Sequence, residues 1–149
     1  MKIELAKVED VISILEIIKQ RCEWLKERNI KQWGDWYYTE VYNEEYFVNI
    51  MKVNQLYVAK YENEIVGTFL LKTEDTNYWK DHKKAYYIHH FATKLGYPNL
   101  GTKLLNFIEN LAKQNSIHYI RLDCVKGNQK LNEYYQNHGF KNRGEGEKP

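Results

Sequence analysis

Apolar residues recur at three- and four-residue steps most clearly between Leu100 and Ala112. There Leu100, Leu104, Leu105, Ile108, Leu111 and Ala112 share one face of a predicted helix. Just before it, Tyr86 to Thr93 is rich in aromatic and β-branched residues and predicts a strand. A turn containing Gly96 and Pro98 joins the two. A strand that turns tightly into a helix aims the first N–H groups of the helix at whatever sits above the turn. Those donors, with the positive end of the helix dipole, make an anion site.

Other segments follow the same logic. Met1–Lys7 alternates Ile3 and Leu5 with polar neighbours and predicts a short strand. Val8–Arg28 predicts a helix with Val11, Ile14, Leu15, Ile18, Cys22 and Leu25 buried, and with Glu9 and Asp10 in its first turn. Thr39–Met51 predicts a second helix, turning Val41, Tyr42, Phe47, Val48 and Met51 inward. Gln55–Tyr61 and Ile65–Thr73 predict a hairpin closed at Glu62–Glu64. The second strand is almost continuously apolar, as a central strand is, and Gly67 within it marks a bulge or a close approach.

Glu74–Lys83 reads as a polar loop carrying Trp79. Ile117–Val125 predicts a strand with Ile120, Leu122 and Cys124 on one face and Tyr119, Arg121 and Asp123 on the other. Asn128–Asn137 predicts a short helix, and Gly139–Phe140 opens a last strand that is short or missing. The element order is therefore β-α-α-β-β-β-α-β-α-β. It predicts an antiparallel meander, then a parallel pair joined by a right-handed crossover, in a mixed α/β three-layer α-β-α sandwich.

Composition narrows the classes. A chain of 149 residues suits one domain over 1–149. A net charge of +2 with no basic block argues against a nucleic-acid partner. No apolar run is long enough to span a bilayer, and no signal peptide precedes the first strand. Cys22 and Cys124 lie far apart in a helix and a strand, which suits small buried hydrophobes in a reducing cytoplasm. Neither His89 nor His90 has partners at metal spacing, so no metal is expected. Alternation sends these two histidines to opposite faces and places Tyr87, His89 and Phe91 on one. The aromatic stretch from Trp33 to Tyr38 supports two readings, a loop folded over the core or a wall facing substrate.

Three stretches carry a family resemblance. The first is Phe91-Ala92-Thr93 with the run from Gly96 through Tyr97, Asn99, Leu100, Gly101 and Thr102 to Leu105. The second is Ile120 to Cys124 followed by Asn128. The third is Asn128, Tyr134, Tyr135, Gly139 and Phe140 at their mutual spacing. Together they resemble the Gcn5-related N-acetyltransferase (GNAT) superfamily, whose fold is the acyl-CoA N-acyltransferase sandwich. The resemblance implies acetyl-CoA as co-substrate and a primary amine as acceptor; monomer and homodimer both stay open, since a short last strand leaves a sheet edge for pairing. It implies coenzyme contacts from Phe91, Ala92, Thr93, Gly96, Tyr97, Asn99, Leu100, Gly101, Thr102, Asn128 and Tyr135. It also implies Tyr135 as general acid toward the CoA sulfur and Asp123 as candidate base. This sequence departs from the family's usual coenzyme loop: Gly96, Asn99 and Gly101 stand at the signature positions, and Pro98 removes one backbone donor.

Each assignment has a structural rival. Tyr135 is either the acid or a packed aromatic. Asp123 is either a base or half of a surface ion pair with Arg121. Gly101 serves either phosphate or close helix packing. Trp33, Trp36 and Tyr37, with His89, are the candidates to face the amine, since aromatic rings attract cations. The competing function is a non-catalytic acyl-CoA-binding or regulatory module that keeps the fold with an altered loop.

Overall fold

The computed structural model describes residues 1–28, 38–73 and 85–122. Among the described residues five strands form one sheet in the order β1-β2-β3-β4-β5. They are β1 Lys2–Leu5, β2 Gln55–Tyr61, β3 Glu64–Lys72, β4 Ala85–Thr93 and β5 Tyr119–Leu122. The first three pairings are antiparallel and β4–β5 is parallel. Helices α1 (Val11–Glu27), α2 (Tyr38–Val41), α3 (Glu44–Ile50) and α4 (Leu100–Gln114) complete the described elements. The expected mixed three-layer sandwich is the observed one.

Two apolar clusters, one on each side of the sheet, hold the layers together. On one side Val11, Ile14, Ile17 and Ile18 of α1 pack with Phe47 of α3 over Leu56, Val58, Leu70 and Ala92. On the other, Leu100, Leu104, Leu105, Ile108 and Ala112 of α4 cover Ala59, Val66, Phe69, Tyr86 and Ile88. The helical spacing of these residues is what puts them on one stripe, and burying that stripe is the main drive for docking. Ile17 joins the α1 stripe, whereas Leu25 is only half-buried near its far end. Before α1, a single 3₁₀ turn spans Val8–Asp10, and the Asp10 carboxylate accepts from the Lys7 backbone N–H at 2.8 Å.

The second predicted helix is in fact two. Asn43 is extended, and its side chain accepts from the Tyr46 N–H at 3.0 Å, capping the start of α3. This ends α2 at Val41, which is exposed rather than inward.

The β2–β3 connection is a two-residue turn, Glu62-Asn63, with φ of 52° and 68°. Two left-handed residues in succession match the twist of the flanking strands. Gly67 combines both of its expected roles. The register between β2 and β3 shifts beside it, with Ala59 opposite Gly67 and Lys60 opposite Ile65. A Cβ on Gly67 would also lie 3.1 Å from Leu104 Cδ1. The missing side chain lets α4 settle close to the sheet.

A second bulge lies in β4. Thr68 pairs with Ala92 but Leu70 pairs with His89, so His90 and Phe91 together face one residue of β3. His90 has φ of 54°. The extra residue reverses the alternation beyond it. Phe91 packs against the α4-side cluster, with Tyr86 and Ile88, while Ala92 belongs to the α1 side. The histidine rings, expected on opposite faces, lie 6.3 Å apart, and Phe91 does not share a face with Tyr87 and His89.

Candidate active site

The site is built on the exit from β4. After Thr93 the chain turns through Gly96, whose φ of 93° is one that glycine adopts without strain, and reaches Asn99 with φ of 64°. Asn99 is the N-cap of α4, held left-handed, and its side chain makes no cap hydrogen bond. Asparagine tolerates this conformation better than most residues. Leu100 N donates to Tyr97 O at 3.4 Å and Lys103 N to Asn99 O at 3.2 Å. Gly101 and Thr102 lie in the first turn, the end toward which the N–H groups of a helix point. That turn carries no acidic side chain. A fifteen-residue helix thus directs its positive end over the turn with no carboxylate of its own there.

The sequence-predicted contacts fall into two groups. Gly96, Asn99, Gly101 and Thr102 line the turn and the start of α4, with Asn99 exposed and Gly101 half-buried. Ala92 and Leu100 are buried in opposite cores. Thr93 is engaged internally: Arg21 Nε donates to its carbonyl at 2.6 Å and Arg21 Nη2 to its hydroxyl at 2.9 Å. Tyr97 anchors the turn to the hairpin. Its hydroxyl donates to Glu64 at 2.7 Å, Lys94 Nζ pairs with the same carboxylate at 3.0 Å, and its ring meets Tyr61 edge-on. The Tyr97 hydroxyl and the Lys94 ammonium hold the Glu64 carboxyl below its ordinary range.

Two further bonds fix the root of the turn. Lys94 N donates to Val66 O at 2.7 Å, and Leu95 N donates to Gln20 Oε1 at 3.0 Å. With the Arg21 fork, they join α1, β3 and the turn. Gln20 and Arg21 were absent from the sequence-based site. They flank the apolar stripe of α1, and no local pattern links them to a segment more than seventy positions away.

His89 and His90 sit at the bulge. Tyr46 Oη and His90 Nε2 share a hydrogen bond of 2.8 Å, and the rings of Tyr42, Tyr46 and Phe47 surround the imidazole edge-on. Burial pushes the His90 pKa down to about 3, with smaller contributions from His89 and Lys72. Burial, aided by Tyr42, raises Tyr46 to about 12. This pair is neutral at physiological pH. Arg121 is buried at 7% exposure. Its Nη1 donates to the Tyr87 hydroxyl at 3.0 Å, and the guanidinium lies 5.2 Å from the Tyr119 ring centroid.

A cavity of about 600 Å³ opens between α1 and the hairpin, lined by Ser13, Glu16, Gln20, Lys60, Glu64 and Lys94 among others. It meets the turn only through Lys94, and none of Gly96–Thr102 lines it. The described β4–β5 pairing ends at Ile88 opposite Leu122. Trp33, Trp36, Tyr37, Trp79, Asp123, Cys124, Asn128 and Tyr135 lie outside the described residues, as do the predicted Asn128–Asn137 helix and Gly139–Phe140 strand. Among the described residues no helix is long and apolar enough to cross a membrane.

Comparison with known proteins agrees with this architecture. The N-acetyltransferase YesJ of Bacillus subtilis strain 168, itself uncharacterised, is 25% identical over 148 positions, covering 91% of this chain and 78% of that protein. A GNAT-family acetyltransferase of Listeria monocytogenes superposes with a TM-score of 0.78 at 21% identity, covering 97% of this chain and 88% of that one. The PaiA N-acetyltransferase of Thermoplasma acidophilum, solved in complex with coenzyme A, superposes with a TM-score of 0.72 at 20% identity, covering 95% and 91%. The sequence profile of the acetyltransferase (GNAT) family matches residues 18–140, and the chain belongs to that family.

Proposed function

We propose that this chain is an acetyl-CoA-dependent N-acetyltransferase acting on a primary amine. The observation that carries the coenzyme assignment is the start of α4. A left-handed Asn99 presents first-turn N–H groups of a long helix, and that turn contains no acid. A diphosphate is the part of coenzyme A that such donors suit. The fold neighbour solved with coenzyme A supports the same reading.

The chemistry is direct transfer. The amine is protonated in water at neutral pH and must lose a proton before it attacks the thioester carbonyl carbon. The C–N bond forms as the carbonyl oxygen takes up negative charge, and backbone N–H groups near Phe91–Thr93 are the donors the reading assigns to it. Collapse breaks the C–S bond, and the leaving thiolate takes a proton. By resemblance Tyr135 supplies that proton, Asp123 receives the proton of the amine directly or through water, and Asn128 contacts the coenzyme. Cys22 does not serve as a covalent relay in this reading. Its thiol is half-buried on α1, and burial, with Glu23, raises it to about 11. Trp33, Trp36, Tyr37 and His89 are the proposed acceptor wall. A polyamine, another small amine and a protein amine all fit a wall of that chemistry.

The test is release of free thiol from acetyl-CoA across a panel of amines. Turnover on at least one amine is expected, with Tyr135→Phe lowering kcat by roughly 10²- to 10⁴-fold, as loss of a general acid does. Stabilisation by CoA with no turnover on any amine would favour the regulatory module instead.

A further inference from the structure

We propose that Arg21 of α1 is a positioning residue for coenzyme binding: it sets the direction in which the chain leaves β4 and so aims the first N–H groups of α4 at the diphosphate. The inference rests on the acetyl-CoA reading above.

Three successive residues at the root of the turn are tied to other elements. The Thr93 carbonyl and hydroxyl both accept from Arg21, at 2.6 and 2.9 Å. The next two N–H groups donate to Val66 O and Gln20 Oε1. Beyond them the chain passes through two left-handed residues, Gly96 and Asn99, before α4 begins. A segment with so little regular structure inherits its course from its root. Hydrogen bonds held at two points by a planar guanidinium fix orientation as well as distance, which an ammonium does not. Arg21 also lies against the Trp24 ring on its own helix, 5.2 Å from the centroid, which limits its rotamers. Nε and Nη2 both donate to Thr93, and through them the guanidinium acts on the strand end.

Three accounts of Arg21 are separable. As a positioning residue it requires the fork. As a packing residue it affects melting temperature and leaves the affinity of the folded protein unchanged. As a bulk positive charge it is replaceable by lysine. Calorimetric titration with CoA, alongside thermal unfolding, of the full chain, Arg21→Lys and Arg21→Met distinguishes them. We expect both variants to bind CoA at least about tenfold more weakly than the parent, the scale of losing hydrogen bonds to a charged group. Gln20→Leu, which removes the neighbouring anchor on Leu95, is expected to weaken binding in the same direction. If Arg21→Met does not fold, Arg21→Lys alone decides between fork and charge. Parental affinity in Arg21→Lys, or in a folded Arg21→Met, would overturn the inference and leave the acetyltransferase reading standing. No CoA binding by the parent would remove that reading itself.

Discussion

Tyr46 on α3 and His90 at the β4 bulge are joined by a 2.8 Å hydrogen bond within a cage of aromatic rings. The bond places a buried histidine where the strand departs from regular pairing, and its protonation state is tied to the fold. The unfolded chain takes up the imidazole proton near pH 6.5, whereas the folded chain does so only near pH 3. Between these values the unfolded state binds more protons. The contribution is therefore present in full above about pH 6.5 and declines as the pH falls.

His90→Asn tests that sign. Asparagine accepts the positive φ and does not titrate. Its own destabilisation at pH 7 comes from the lost bond and packing. From pH 7 to pH 5 the gap between parent and variant is expected to narrow by about 2 kcal/mol in urea unfolding. A gap independent of pH would show that His90 is not held neutral by burial.

Gly67 of β3 lies directly beneath Leu104 of α4. Gly67→Ala places a Cβ 3.1 Å from Leu104 Cδ1, and Leu104 is fully buried. The expected cost is about 1–3 kcal/mol of unfolding free energy, the range for overfilling a packed core. Leu104→Val removes the clashing carbon, so the double variant should lose less than the sum of the two single changes. Strict additivity would mean that the glycine is not there for α4.

Asn99 allows a sharp discrimination between backbone and side chain. Its side chain makes no cap bond, so its φ of 64° is the property that matters. Asn99→Gly is expected to leave stability and CoA affinity close to the parent. Asn99→Val should lower stability by about 1–2 kcal/mol, the strain of a branched residue in the left-handed region, and should weaken CoA binding. The two substitutions are compared by thermal unfolding and calorimetry. Equal behaviour of the two would contradict a role for the left-handed cap.

Much of this was legible in the sequence because hydrophobic periodicity reports burial directly. The α4 stripe, the central β3 strand and the parallel β4–β5 pair all followed from spacing, and Gly96 and Asn99 marked the left-handed turn before α4. The misplaced features share a cause. Alternation through β4 assumes a continuous ladder, and a histidine at φ 54° gives no local sign of a bulge, so Phe91 and the histidine pair were put on the wrong faces. Asn43 acts as a cap through a bond to a backbone N–H three residues on, which hydrophobic pattern does not record. Arg121 lies buried beside Tyr87 of the neighbouring strand, a contact that alternation along β5 alone does not reveal. The Arg21–Thr93 fork joins residues 72 positions apart, which a single sequence does not connect.

The central claim is that donors at the start of α4 hold the diphosphate of an acyl donor. Calorimetric titration of the full chain with acetyl-CoA tests it most directly. The account predicts saturable binding at one site per chain, a rise in melting temperature with ligand concentration, and a marked loss of both in Asn99→Val. Absence of heat and of any thermal shift would contradict it.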